Sequence, residues 1–202
     1  MQKKILIVIT GSIASYKALY LIRKLKEKNF FINVIMTKSA KKFITPLSVS
    51  SISENRVYEN LFDLTEETEM GHIKLAKMHD LIIVLPASAN FIAKVSNGYA
   101  DDLATTVLLA SKTKVLFAPA MNINMFTNKI TQKNINYLQN LGYDFEFGNE
   151  GQLACGDYGL GRMAEPEDIL KYINKLFSKT KPLEGIEALV TAGPTQEPID
   201  PV

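Results

Sequence analysis

Four short apolar runs, each ending in a turn of small or polar residues, constrain this chain more than any other feature. Lys4 to Ile9, Phe31 to Met36, Asp80 to Leu85 and Val115 to Ala118 are continuous rather than alternating, and rich in Ile, Val and Leu. A strand with no polar face is covered on both sides, as in a parallel sheet held between two helix layers. Helical spacing follows, as at Ala18, Leu19, Ile22 and Leu25. The pattern predicts an α/β fold: a doubly wound, mostly parallel, Rossmann-like sheet flanked by helices. Ligands of such sheets bind at the carboxyl ends of the strands, so the turns after these runs are where function is sought.

The first turn, Thr10-Gly-Ser-Ile-Ala-Ser-Tyr-Lys17, joins a strand end to a helix start. Unpaired N–H groups and the helix dipole there suit an anion. The turn is neither Gly-x-Gly-x-x-Gly nor a Walker loop, and its single glycine suits one phosphate rather than a pyrophosphate. Thr37 and Ser39 either cap the next helix or touch a phosphate. The third run ends in Pro86-Ala-Ser-Ala-Asn90, followed by Ser96 to Thr106, where capping explains at least one of Asp101 and Asp102. The fourth leads into Pro119-Ala-Met-Asn-Ile-Asn-Met-Phe126 and then a helix from about Asn128 to Leu141. Asn122 offers an amide donor and acceptor, and Met121 and Met125 offer soft apolar contact. A plain strand-to-helix loop would explain that segment alone. The repetition of small residues and hydroxyls at several strand ends points to one shared crevice.

Between these runs, Pro46 to Ile52 reads as a short helix, Arg56-Val-Tyr58 as an edge strand and Asp63 to Glu69 as a surface loop. Of the two histidines, His79 lies at a helix end before a strand, where a structural or solvated role is expected. His72 begins that helix behind Gly71 and beside the acidic loop, where two readings stand: a side chain facing a pocket, or a structural histidine, the commoner role of a lone one. Tyr143 to Phe147 reads as a last strand, and Glu167 to Phe177 as a last helix behind Pro166. Gly148 to Met163 holds five glycines, the sole cysteine, Cys155, and Arg162. It reads as a lid over an anionic substrate or, more plainly, as a loose connector. After the polar linker 179–185, Ile186 to Thr191 looks like a new first strand, followed by Ala-Gly-Pro-Thr-Gln-Glu-Pro.

The net charge of +2 is spread without long runs, which argues against nucleic-acid and membrane partners. No apolar stretch reaches the roughly 18 residues of a membrane span. One cysteine allows no intrachain disulfide, which suits a reducing cytoplasm.

Six pieces, in order, resemble the flavin-dependent cysteine decarboxylases, most closely the branch acting on phosphopantothenoylcysteine within bifunctional bacterial coenzyme A proteins. They are Gly11-Ser-Ile-Ala14, Gly71-His-Ile-x-Leu-Ala76, Pro86-Ala-Ser-Ala-Asn90, Asp101-Asp-Leu-Ala-Thr-Thr106, Pro119-Ala-Met-Asn-x-x-Met125 and Ala154-Cys-Gly-Asp157. Phe126 departs from the family, which often has Trp there. The resemblance implies a bound FMN, its phosphate near Gly11, Ser12, Ile13 and Ser39. It places the ring near Ala87, Ser88, Asn90, Thr105, Thr106 and Met121. It makes His72, Asn122 and Cys155 catalytic, and adds Met125, Ala154 and Arg162 as substrate contacts beside Asn122. The implied reaction oxidises the thiol of 4′-phospho-N-pantothenoylcysteine, releases CO₂ and reduces the enethiol again, giving 4′-phosphopantetheine. It also implies a homotrimer or dodecamer with the site at a subunit boundary, and no metal in this unit. Residues 1–178 are then the decarboxylase domain, 179–185 a linker and 186–202 the start of a synthetase domain. Mg²⁺ and CTP would belong only to that second domain, whose reaction joins cysteine to 4′-phosphopantothenate. Rival readings are a flavin prenyltransferase, a peptidyl-cysteine decarboxylase, a non-catalytic FMN-binding regulatory subunit and a nucleotide-binding module. The Cys155 segment argues against the first two.

Overall fold

The computed structural model describes residues 2–61, 71–154, 156–178 and 193. The expected surface loop 63–69, Cys155, the linker and all of 186–202 but Gly193 lie outside the described residues.

The apolar runs form the centre of one sheet, as their two-sided apolar character requires. Strand β1 (Lys4–Ile9) pairs with β2 (Phe31–Met36) on one side and β4 (Leu81–Ala87) on the other. Outside these lie β3 (Val57–Tyr58), β5 (Val115–Pro119) and β6 (Asp144–Phe145), in the order β3-β2-β1-β4-β5-β6 with every pairing parallel. The chain winds outward from β1 to β3 and then returns to the far side of β1 as β4. The winding therefore reverses between β1 and β4, which is where such a sheet opens its crevice.

Alternate residues of one strand serve two cores. Ile5, Ile7 and Ile9 pack with Leu21 and Ile22 of α1 (Tyr16–Glu27), Val49 of α2 (Pro46–Ser53) and Ile169 and Ile173 of α8 (Pro166–Phe177). Leu6 and Val8 face the opposite layer. That layer is built from α3 (Gly71–Lys77), α4 (Ala89–Ser96), α5 (Leu103–Ala110) and α7 (Lys129–Asn140). The fold is the α/β sheet that the sequence predicts.

The last strand is shorter than the expected Tyr143 to Phe147. Beyond Phe145 the chain leaves the sheet, and Phe147 forms a lone antiparallel bridge to Met163. Gly148 explains the departure, since a Cβ there would lie 2.4 Å from the Arg162 carbonyl oxygen. Only a glycine lets the two backbones run that close.

His79 has the structural role expected of it. It is buried, and its ring bridges the Leu75 carbonyl at 2.8 Å and the Asn33 side-chain amide at 3.0 Å. Burial lowers its pKa below 6.5. The unfolded chain therefore takes up this proton first as pH falls, so His79 makes the fold lose stability below about pH 6.5. His79→Asn is expected to cost about 1–3 kcal/mol by leaving buried partners unsatisfied and to flatten the acid limb of a melting-temperature profile. An acid limb equal to that of the native protein would show that His79 does not titrate with unfolding.

Candidate active site

The ends of β1 and β4 are tied together by one side chain. The Thr10 hydroxyl donates to the Pro86 carbonyl at 2.6 Å and accepts from the Ser88 N–H at 3.0 Å. The Leu85–Pro86 peptide is cis. On the other side, Gly11 lies so near the turn after β2 that a Cβ would come within 2.5 Å of the Ser39 Cβ. These strand ends enclose a cavity of about 680 Å³ lined by Gly11, Ser39, Ser88 and Asn90, with Lys38 as a cation and Phe91 and Leu103 as apolar wall. Thr37 uses its hydroxyl to accept from the Ala40 N–H at 3.3 Å, whereas Ser39 makes no capping bond.

A second cavity of about 510 Å³ lies across the Gly11-Ser12 turn, lined by Ser12, Ile13, Met121, Asn122, Ala154 and Arg162. Its wall is the segment after β5. Ala120 N–H donates to the Ala87 carbonyl and Met121 N–H to the Gly161 carbonyl, both at 3.0 Å. Asn122 then caps the short helix α6 (Ile123–Thr127). Its Oδ1 accepts from the Asn124 N–H at 2.8 Å, which fixes Nδ2 as the outward group, and Nδ2 donates to Asp157 Oδ2 at 3.0 Å. The amide is thus already presented to a carboxylate.

The described residues of the glycine-rich segment form regular pairings. Strands β7 (Gly151–Gln152) and β8 (Tyr158–Gly159) form an antiparallel hairpin, and the chain beyond it lies against Met121. Gly161 has φ +113° and a Cβ there would meet the Met121 oxygen at 2.5 Å, so both conformation and space demand glycine.

The expected residues fall into three groups. Gly11, Ser39, Ser88 and Asn90 meet in the first cavity, while Ser12, Ile13, Met121, Asn122, Ala154 and Arg162 meet in the second. Ala87 is buried inside β4. Thr105 and Thr106 line neither cavity. Asp102 caps α5 in a reciprocal box with Thr105, and Thr106 Oγ1 donates to the Asp102 carbonyl at 2.7 Å. Of the two aspartates, Asp102 is therefore the cap, while Asp101 pairs with Lys94 at 2.7 Å. Met125 is exposed on α6, and His72 is half-buried at the start of α3; neither is among the described residues lining these two cavities. Sequence reasoning missed Thr10, whose role needs β1 and β4 side by side. It also missed Lys17 and Glu165, which are distant in the chain and joined at 2.8 Å.

Residues 1–178 match the Flavoprotein family. The chain is 46% identical over 200 residues to the coenzyme A biosynthesis bifunctional protein CoaBC of Haemophilus influenzae, a match covering 99% of this chain and 50% of that protein. It thus spans about half the length of the curated relatives it matches. Among solved structures, a mutant PPC decarboxylase complexed with pantothenoylaminoethenethiol superposes with a TM-score of 0.76 at 28% identity, covering 88% of this chain and 99% of that one. The FMN binding protein AtHal3 superposes with a TM-score of 0.77 at 29% identity, covering 88% and 97%.

Proposed function

The chain belongs to the Flavoprotein family, and from that premise we propose that residues 1–178 bind FMN and decarboxylate 4′-phospho-N-pantothenoylcysteine to 4′-phosphopantetheine in coenzyme A biosynthesis. The observation that carries this reading is the pair of cavities divided by one Gly-Ser turn, the first shaped for a cofactor and the second opening on Asn122. The first fits a mononucleotide on its own geometry. Its volume is in the range of small-molecule sites, its Gly11 end is closed by Ser39 and Lys38, and its remaining wall mixes apolar side chains such as Ile35, Phe91 and Leu103 with polar and charged ones, among them Asn90, Glu59, Lys94 and Asp101. The strand-to-helix turn carries one glycine, Gly11, packed against Ser39, which suits one phosphate rather than the pyrophosphate that a multi-glycine turn takes.

When bound, FMN supplies the oxidation of the substrate thiol and the return of the hydride, chemistry that no side chain here can provide. The protein's own part is to hold and orient. Ser39 and Lys38 hold the phosphate, and Ser88 and Asn90 flank the ring. Asn122 Nδ2 donates to the substrate carboxylate, setting it for loss as CO₂. His72 acts as the base and Cys155 returns a proton to the decarboxylated product. Among the described residues His72 lines neither cavity, and a neighbouring subunit would be needed to bring a histidine to one of them. The rim of the second cavity supports the same reading, because Ile13 and Tyr16 line it yet are 61% and 50% exposed. We therefore place the active site at a subunit boundary of a trimer, or of trimers gathered into a dodecamer. Residues 186–202 are read as the opening of a synthetase domain, in keeping with relatives about twice this chain's length. Among the described residues no helix is long and apolar enough to cross a membrane. The proposed pathway and the lone cysteine support a cytoplasmic location.

The test is direct. The purified protein is expected to be yellow, to yield FMN on denaturation, and to release CO₂ from 4′-phospho-N-pantothenoylcysteine. Extraction of FAD, or of no flavin, would overturn the cofactor; flavin without CO₂ release would overturn the reaction. Asn122→Asp is expected to keep the flavin spectrum and to raise KM by at least about tenfold, because a carboxylate repels the substrate's own. An unchanged KM would leave Asn122 as a helix cap only.

A further inference from the structure

The second cavity carries two cations whose part has not been assigned: Lys17, and Arg162, which the family resemblance makes a substrate contact without saying of which group. Lys17 lines it from α1 although only 8% of its surface is exposed, and Arg162 lines it from the segment after the hairpin. Both reach the same acceptor. Lys17 Nζ lies 2.8 Å and Arg162 Nη2 3.2 Å from Glu165 Oε1, and Lys17 also donates to the Met163 carbonyl at 3.3 Å. Arg162 is seated closely, since a Cβ on Gly151 would lie 2.4 Å from its Nη1. Two positive charges converge on one negative charge, so the cluster keeps a net charge of +1 on the wall of the cavity. The attraction of both cations to Glu165 holds the triad together, and its uncancelled positive charge favours a further anion beside it. A guanidinium carries five donors and Glu165 takes from one terminal nitrogen, so the fork has capacity for more oxygens.

We infer that Lys17 and Arg162, held in place by Glu165, form the subsite for the phosphate at the far end of the substrate. This rests on the function proposed above. That substrate is anionic at both ends, and the cavity offers recognition at two places: the Asn122 amide for the carboxylate, and the Lys17–Arg162 pair for the phosphate. The pair is then the specificity determinant that separates a phosphorylated pantothenoylcysteine from other cysteine-ended substrates. Glu165 is a positioning residue, keeping the two cations from repelling each other apart.

The experiment compares kcat/KM for 4′-phospho-N-pantothenoylcysteine and for its dephosphorylated form, using the flavin-loaded protein. The native protein is expected to prefer the phosphorylated substrate, and Lys17→Gln and Arg162→Gln each to shrink that preference at least about tenfold, the scale of one charge-assisted hydrogen bond. Arg162 is the half-exposed partner, so its variant decides the matter where Lys17→Gln misfolds; retained flavin absorbance certifies the fold. Equal loss on both substrates would overturn the subsite and leave the cluster as a clamp between α1 and α8. An unchanged preference would overturn it too. A native protein that decarboxylates neither substrate would instead sink the function on which the subsite rests.

Discussion

His72→Asn is expected to give a folded, yellow protein whose decarboxylation rate is lower by about 10²–10⁴-fold, the usual worth of a positioned general base. Histidine is the side chain whose ordinary pKa lets it take a proton near neutral pH, and the protein has two. His79 is spoken for: buried and bonded on both nitrogens, it has no access to substrate. His72 stands half-buried at the start of α3 and is not among the described residues that line either cavity. Its removal leaves the walls of the flavin cavity intact, so cofactor binding is expected to survive. If its action depends on a second subunit, as proposed, the same variant tests the assembly. Co-assembled with Asn122→Asp, which supplies the intact histidine but a defective carboxylate site, it is expected to regain part of the missing rate. Assays of CO₂ release on each variant and on the mixed oligomer check both points. A His72→Asn protein turning over at the native rate would remove His72 from the mechanism, and a mixture no better than its components would confine the site to one subunit.

Much of this was legible in the chain because the strong signals are local. An unbroken, β-branched apolar run such as Leu81 to Leu85, too short for a helix of its own and followed by Pro86, fits a strand covered on both faces. Four of them separated by helical stretches allow few topologies. From that alone the strand ends follow as the ligand side, and Gly11, Ser39, Ser88 and Asn90 do meet there. The edges were harder. With two residues each, β3 and β6 owe their pairing to neighbours rather than to their own pattern.

What the chain did not disclose depends on close approach or on long separation. Thr105 illustrates the first kind of ambiguity. The string Asp-Asp-Leu-Ala-Thr-Thr is compatible with hydroxyls facing a ligand and with a capping box, and the structure uses Thr105 for the box. The glycines of 148–161 read as looseness, whereas Gly148, Gly151 and Gly161 each make room for a specific neighbour. A missing side chain carries no record of what fills its place. The pairing of Lys17 with Glu165 spans most of the chain, so neither residue looks more than solvated until α1 and α8 are packed together.

The second large effect is expected at Gly11, from a single methyl group. Gly11→Ala places a Cβ 2.5 Å from the Ser39 Cβ and 3.2 Å from the Ser39 carbonyl carbon. No rotamer relieves this, because a Cβ is fixed by its own backbone, so the turn after β1 and the turn after β2 must move apart. Overpacking of this kind costs about 1–3 kcal/mol. The cost falls on the two segments that close the end of the cavity proposed to take the FMN phosphate. The separation also takes Ser39 and Lys38 out of reach of a phosphate held at Gly11, so each charge-assisted hydrogen bond that breaks adds to the effect. Flavin affinity is therefore expected to fall by about ten- to a hundredfold, while far-ultraviolet circular dichroism stays native, since the strands themselves are untouched. The double variant Gly11→Ala/Ser39→Gly separates backbone strain from the missing phosphate bonds. Removing the Ser39 Cβ abolishes the shortest clash, so the melting temperature is expected to recover, whereas flavin affinity recovers only in part because the Ser39 hydroxyl is gone. Flavin fluorescence titration and thermal melting of the two variants measure these quantities. Native affinity in Gly11→Ala would show that the two turns do not cradle the phosphate, and full recovery of affinity in the double variant would show that Ser39 closes the cavity without touching the ligand.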